Sequence, residues 1–192
     1  MRKVTLTYGL LAGAIISGIM LLSIALWENG MLTLDNTEFI GYGSMVVALS
    51  MIFFGIKSFR DNYQHGAIKF VKGLQVGALI TLIASLMYAV TWETYYRTNT
   101  EIQTSFMAKY TDDTLNKMKA KGASTAEIDQ KAKQLADMGE MYKNPVIRFG
   151  ITLLEIFSVG IVITLICAAM LRRKDRQMSA GHFTVSPEGA TR

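Results

Sequence analysis

The sequence predicts an all-α membrane protein, a bundle of four transmembrane helices with both termini in the cytoplasm. It also predicts an extracytoplasmic two-helix hairpin between the third and fourth transmembrane helices. Three observations lead to this fold class. The apolar residues, 51% of the chain, are gathered into four long blocks. An excess of lysine and arginine over acidic residues occurs at the N-terminus, in the second connection and at the C-terminal exit, whereas the charges of the long third connection nearly cancel. The longest connection is polar and carries its own helix start and stop signals.

Each of the four apolar blocks is long enough to cross a membrane. They cover residues 4–26, 39–59, 73–92 and 146–171, and a helix of about 20 residues spans a hydrocarbon core of roughly 30 Å. The first block follows Arg2 and Lys3, as the core of a signal peptide would. However, its apolar run is longer than the roughly 7–15 residues of such a core, and no A-x-A cleavage site follows. We therefore interpret it as a retained span.

The basic residues beside the blocks predict the orientation, because Lys and Arg accumulate on the cytoplasmic side. The loop of residues 27–38 contains neither of them, whereas the N-terminus, the second loop and the exit "RRKDR" at residues 172–176 are basic. With four spans, these three basic segments share one side of the membrane. We therefore expect both termini in the cytoplasm, with Trp92 and Glu93 at the outer interface.

The connection between the third and fourth spans contains the predicted hairpin, at residues 100–143. The stretch "SFMAKYTDDTLNKMKAKG" places Phe106, Tyr110 and Thr114 at nearly helical spacing, and it ends on Gly122, a typical helix stop. Ser124 and Glu127 then have capping-box spacing, which predicts the start of a second helix. The "KNP" before the last span ends that helix.

Four glycines in the first and third spans predict close helix packing. Gly9 and Gly13, like Gly73 and Gly77, are four residues apart and therefore lie on one face of their helix. Small residues at this spacing let two helix backbones approach closely within lipid. The alternative is that these glycines only reflect the general frequency of glycine in membrane spans.

One carboxylate, Glu155, lies near the middle of the most apolar stretch, "GITLLEIFSVGIVITLICAAM". An acid at a helix centre costs about 2.5–3.5 kcal/mol on insertion scales. The same span has about fifteen Val, Ile, Leu or Phe residues, whose summed contribution of roughly −6 kcal/mol outweighs that cost. The span can therefore insert with its acid, but this does not explain why an acid is there.

The neighbours of Glu155 predict a polar stripe on the fourth span. Arg148, Thr152 and Ser158 lie at i−7, i−3 and i+3, so we expect all four residues to face protein or trapped water. No Lys or Arg occurs at this depth, so we expect a protonated carboxyl that donates to a hydroxyl of another span. Two interpretations remain open: a proton relay, cation relay or polar ligand site, or a hydrogen bond that fastens the fourth helix into the bundle.

Other residue patterns exclude several classes of function. Glu93 and Arg148 lie near the outer ends of their helices and could pair there. A pair at that interface is more often structural than functional. The two histidines, His65 and His182, are too far apart in sequence to form a zinc site alone, and we expect no metal or cofactor. The net charge of +5 is explained by the basic segments that set the orientation of the chain in the membrane, so we expect no nucleic-acid partner. Motifs of phosphate binding, dinucleotide binding, serine hydrolysis and zinc proteolysis are absent from the sequence, so no enzymatic activity is expected.

Four stretches of the chain resemble a known family. "YGLLAGAIISGIMLL", "GYGSMVVALSMIFFGIKSFRDNY", "WETYY" and "MYKNPVIRFGITLLEIFSVGIVITLI" are similar to the bacterial integral-membrane family called domain of unknown function 4199. The resemblance covers the chain to about Lys174 and implies a four-helix protein of the bacterial cytoplasmic (inner) membrane. It brings no activity, ligand or catalytic residue. We expect residues 1–174 to form one membrane domain and residues 175–192 to be a disordered cytoplasmic tail.

Two hypotheses of function follow. The first is a non-enzymatic interaction or accessory protein that uses its bundle and outer hairpin. The alternative is a small transporter or channel subunit with a polar or proton-linked site at Glu155. The expected partners are the lipid bilayer and either another membrane protein or further copies of this chain.

Overall fold

The chain folds into six α-helices. The computed structural model describes residues 1–29, 31 and 34–172, without the side chains of residues 28, 34–38 and 48. The predicted tail at 175–192 therefore lies outside the described residues. The helices are α1 (Arg2–Glu28), α2 (Leu34–Tyr63), α3 (Phe70–Thr98), α4 (Thr100–Ala120), α5 (Thr125–Tyr142) and α6 (Pro145–Leu171).

Four of these helices, α1, α2, α3 and α6, are long and apolar enough to cross a membrane. The structure therefore has an apolar helix of sufficient length at each of the four predicted spans. The helices are longer than the apolar blocks; α3, for example, extends from Phe70 to Thr98 around the block at 73–92. A helix satisfies its own backbone hydrogen bonds, so it continues into the polar flanks as readily as through the apolar block.

Helix α3 is central to the bundle, because it packs against α1, α2 and α6. The core between these helices consists of aliphatic side chains that are almost completely excluded from the surface. The largest are Ile16, Leu49, Ile52, Ile56, Ile80 and Ile156.

The four glycines of α1 and α3 lie at close contacts with neighbouring helices. A Cβ atom added at Gly9 would lie 2.8 Å from Ile83 Cβ, and one added at Gly13 would lie 2.9 Å from Met87 Cβ. On the other side of α3, an added Cβ at Gly73 would lie 3.3 Å from Ala168 Cβ, and one at Gly77 would lie 2.5 Å from Thr164 Cγ2. These contacts leave no room for a side chain between the backbones.

Between α3 and α6 the chain forms two further helices, α4 and α5, which contact each other. Gly122 ends α4 in the left-handed region, with φ +78°, and the backbone N–H of Ala123 donates to Met118 O at 3.0 Å. The capping box that starts α5 is confirmed: the backbone N–H of Ser124 donates to the Glu127 carboxylate at 2.8 Å, and the backbone N–H of Glu127 donates to Ser124 Oγ at 3.4 Å.

The helix pair also contacts the bundle. Helix α4 packs against α3, and α5 packs against α6. Lys109 of α4 adds a link to α1, because its ammonium lies 5.0 Å from the ring centroid of Trp27.

Candidate functional site

An ion pair joins the last turns of α3 to the first turn of α6. Arg148 donates from Nε to Glu93 Oε2 and from Nη2 to Glu93 Oε1, both at 2.8 Å. The side chains of Arg148 and Glu93 are only 5% and 14% exposed. This confirms the predicted pairing, and the two parallel bonds give the fixed geometry that a guanidinium and a carboxylate form.

Arg148 also holds the end of α5. Its Nη1 donates to the backbone O of Tyr142 at 2.9 Å, and its guanidinium carbon lies 3.9 Å from the ring centroid of Tyr96. The N–H groups at the edge of the planar guanidinium therefore donate to Glu93 and to a backbone carbonyl, while its face stacks on an aromatic ring. One side chain thus connects α3, α5 and α6.

A second cation contacts the same carboxylate. Arg97 Nε donates to Glu93 Oε1 at 2.6 Å, one helical turn further along α3, from a side chain that is 64% exposed. Both carboxylate oxygens of Glu93 therefore accept from guanidinium groups. A carboxylate held in this way is poorly suited to act as a general base, and the geometry indicates an anchor.

Aromatic side chains cover the ion pair. The indole Nε1 of Trp92 donates to Tyr142 Oη at 2.7 Å. Tyr96 and Phe106 pack around these two rings, with centroids 5.1–6.0 Å apart, and Ile102 is buried below them. Burial raises the pKa of the Tyr142 hydroxyl, so this group stays neutral and serves as an acceptor for Trp92. We call the set of Glu93, Arg97, Arg148 and these aromatic residues the junction.

Trp92 has a different environment from the one expected at an outer membrane interface. Its side chain is buried, and Tyr142 and Phe106 from α5 and α4 cover it. In sequence, a Trp-Glu pair at the end of a span is typical of an indole ring that lies among the lipid headgroups. The polar N–H is instead satisfied inside the protein, because the helix pair folds back over the end of the bundle.

The prediction that the polar stripe on α6 forms a single surface facing protein is wrong. Arg148 and Thr152 are buried, whereas Glu155 and Ser158 are exposed. At 100° per residue, Thr152 and Ser158 lie on opposite sides of Glu155, about 120° apart around the helix. Arg148 projects from α6 in nearly the same direction as Glu155, but Tyr96 and Tyr142 cover the Arg148 side chain. Glu155 lies two turns further along α6, beyond these two aromatic rings.

The expected hydrogen bond from Glu155 to a hydroxyl is also not found. Thr152 and Ser158 donate to backbone carbonyls of their own helix, at 3.0 and 2.9 Å. Ser85, at nearly the same level as Glu155, and Ser17 are buried, and neither hydroxyl has a hydrogen-bond partner among the described residues. Across the part of the chain that the structure describes, the Glu155 carboxyl forms no hydrogen bond or ion pair.

The sequence analysis did not identify a polar contact in the middle of the bundle. The hydroxyls of Thr81 and Thr164 lie 3.2 Å apart and are fully buried. Each threonine packs on a glycine of the other helix, Thr164 on Gly77 and Thr81 on Gly160. The sequence contained a signal for this contact, because each threonine lies four residues from a glycine on its own helix, Thr81 from Gly77 and Thr164 from Gly160.

Other candidate chemistry is limited. The described residues contain no group of three or more His, Cys, Asp or Glu side chains that could hold a metal ion. Cys167 is a free, buried thiol between helices.

The comparisons with known proteins give one family. The family model described as "Protein of unknown function (DUF4199)" matches residues 7–173, which is most of the chain. No curated protein and no solved structure matches the chain.

Proposed function

Because the chain belongs to this family, which has no assigned activity, we propose a function from the geometry of the chain itself. We propose a non-enzymatic accessory protein of the bacterial cytoplasmic membrane that presents the α4–α5 pair, as a hairpin outside the cytoplasm, to another protein of the cell envelope. The four apolar helices would hold it in the bilayer.

The junction is the observation that carries this proposal. The base of the hairpin is attached to the bundle by the Arg148–Tyr142 backbone bond, the Trp92–Tyr142 hydrogen bond and the Lys109–Trp27 contact. A connection that only joined two spans would not need such anchoring. A hairpin held at a fixed position loses little conformational freedom when it binds, which favours a binding role.

The outer surface of the hairpin supports a partner in water. It carries exposed side chains of both signs, among them Glu101, Lys109, Lys119, Asp129, Lys133 and Asp137. Mixed charge favours recognition by electrostatic complementarity over insertion into lipid. The distribution of Lys and Arg supports the orientation, since the N-terminus, the α2–α3 connection and the C-terminal exit are the basic segments.

The structure does not favour the alternative of a transporter or channel subunit. That hypothesis needs Glu155 inside the bundle, on a path for ions or substrate. Glu155 is instead exposed on the outer surface of α6, and the next residue along the helix, Ile156, is fully buried in the core.

Two measurements test the proposal. For orientation, Lys121→Cys in intact cells should react with a membrane-impermeant thiol reagent, and Lys69→Cys should react only after permeabilisation. For binding, a photo-crosslinking residue in place of exposed Lys133 should give one discrete adduct in intact cells, and one in place of exposed Lys69 should not.

The adduct should also depend on the junction, because Arg148→Met releases the hairpin from the bundle. Protection of Lys121→Cys in intact cells would contradict the orientation. No adduct from any exposed position of α4 or α5 would contradict the binding role.

A further inference from the structure

The outward face of α6 has the spacing of a helix-packing seam. Six residues on this helix are spaced alternately four and three positions apart, and all six are exposed: Ile151, Glu155, Ser158, Val162, Leu165 and Ala169. This period of 3.5 residues is the one with which parallel or antiparallel helices pack at about 20°. Within the seam, Ser158 and Ala169 are small enough to let a second helix approach closely.

Because this face of α6 contains Glu155, its exposure to lipid is unfavourable. Gly160 packs on Thr81 and Gly77 on Thr164, so α3 and α6 run antiparallel and Glu155 is level with Leu86, near the middle of α3. An ionisable side chain at this depth is unfavourable in lipid unless it finds a partner. Tyr88 is close enough to interact with it electrostatically, but it forms no hydrogen bond with Glu155 within the described chain.

We propose that the outward face of α6 is the interface between two copies of this chain, in which the two Glu155 carboxyls hydrogen-bond to each other. Copies with the same orientation in the membrane are related by a two-fold axis along the membrane normal. Such an axis brings each seam residue near its own counterpart at the same depth. This inference goes beyond the proposed function and does not depend on the role of the hairpin.

A second copy of the chain supplies a hydrogen-bonding partner that matches Glu155. No Lys or Arg of the chain lies within the central part of any span, so two copies bring only carboxyls and hydroxyls to this depth. A protonated carboxyl has one donor and one acceptor, and therefore two of them satisfy each other completely. Hydrogen bonds of this kind between helices act as a specific link where lipid removes the hydrophobic drive.

Disulfide crosslinking in lipid tests the geometry. The full chain, with buried Cys167 replaced by alanine, is reconstituted in vesicles of phosphatidylethanolamine and phosphatidylglycerol. Val162→Cys lies on the seam, two turns from Glu155, and should give a disulfide-linked dimer. The matched control is Leu6→Cys on α1, because Leu6 is exposed to a similar extent, 51% against 56%, and lies at nearly the same level.

The dissociation constant of the dimer, measured by energy transfer between labelled copies in the same vesicles, tests the chemistry. Glu155→Leu removes the paired hydrogen bonds and should raise the dissociation constant roughly five- to thirtyfold. Glu155→Gln keeps a donor and an acceptor and should stay within about twofold of the native value. Tyr88→Phe should leave it unchanged, because the contact to Tyr88 is within one chain.

Each other outcome overturns the proposal. Equal association of the Glu155→Leu variant and the native chain would show that the carboxyl does not link copies. Loss of association in Glu155→Gln as large as in Glu155→Leu would indicate a charged carboxylate that needs a cationic partner. Crosslinking at Leu6→Cys but not at Val162→Cys, or a monomer under all conditions, would exclude this face. Because Glu155 is exposed and forms no hydrogen bond or ion pair within the described part of its own chain, the variants should unfold as the native chain does, which confirms that they are folded.

Discussion

Two ionisable residues of α6 differ sharply, although they are only seven positions apart and project in nearly the same direction. Arg148 is buried, and its guanidinium is bonded to Glu93 and to the backbone of Tyr142. Glu155 is exposed and has no such partner in the described part of its own chain. The comparison teaches that neighbouring elements, more than the direction of a side chain, decide whether a charge is satisfied within one chain. Helices α4 and α5 enclose Arg148, whereas Glu155 remains exposed in the described part of the chain.

The largest expected effect is at the enclosed charge. Arg148→Met leaves the Glu93 carboxylate half-buried without its main partner and removes the anchor of α5. Breaking a buried pair from one side costs about 3–5 kcal/mol. We expect a loss of that order in the unfolding free energy of the purified chain in mild detergent.

The matched control for Arg148 is Arg97, the exposed cation on the same carboxylate. Arg97→Met should cost only about 0–1 kcal/mol, because a solvated ion pair contributes little. Equal losses of unfolding free energy in Arg148→Met and Arg97→Met would show that burial of the ion pair does not determine its contribution to stability. A variant with both Glu93→Gln and Arg148→Met should cost less than the sum of the single changes.

The glycine contacts offer the next largest effect. A methyl group at Gly77 would lie 2.5 Å from Thr164 Cγ2, so Gly77→Ala forces α3 and α6 apart. Overpacking of this kind costs about 1–3 kcal/mol. Gly18→Ala is the control, since an added Cβ there meets nothing within 4 Å. An equally large loss at Gly18 would show that backbone conformation, and not helix contact, explains the effect.

The capping box of α5 should give a smaller effect with a pH dependence. Ser124→Ala removes a helix cap and should cost about 1 kcal/mol. Hydrogen bonds from Ser124 lower the pKa of Glu127 from its ordinary value of 4.5. A lowered carboxylate pKa stabilises the fold above pH 4.5, and this stabilisation is lost as the pH falls through the lowered value.

The measurement for this cap is the unfolding free energy between pH 7 and pH 3. The difference between the native chain and Ser124→Ala should shrink as the pH falls below 4.5, because the native chain then loses the charged form of Glu127. A difference that stays constant over this range would exclude the carboxylate from the cap.

The smallest effect is expected at the exposed acid itself. Glu155→Leu in detergent-solubilised monomer should change the unfolding free energy by less than about 0.5 kcal/mol, because exposed substitutions away from packed contacts rarely change it more. The contrast with Arg148→Met is the direct test of the comparison. A large loss at Glu155 would mean that the acid has a partner within its own chain.

Much of the fold follows from local sequence rules. The four apolar helices, the Ser124–Glu127 cap and the stop at Gly122 were predicted and are confirmed, and the glycines of α3 lie at close contacts with α6. Each depends on neighbours in sequence or on the length of an apolar run. Of the junction, the Glu93–Arg148 pair was predicted from its position at two helix ends, whereas Tyr142 and Arg97 were not identified.

The sequence by itself determined which segments are helices and which of them are apolar enough for lipid. It also determined the angles between side chains around each helix, because these depend only on a repeat of 3.6 residues. Only the tertiary structure decided which side of α6 the other helices cover. That depends on where α3 and the α4–α5 pair lie, and so two residues about 20° apart on one helix, Arg148 and Glu155, have opposite environments.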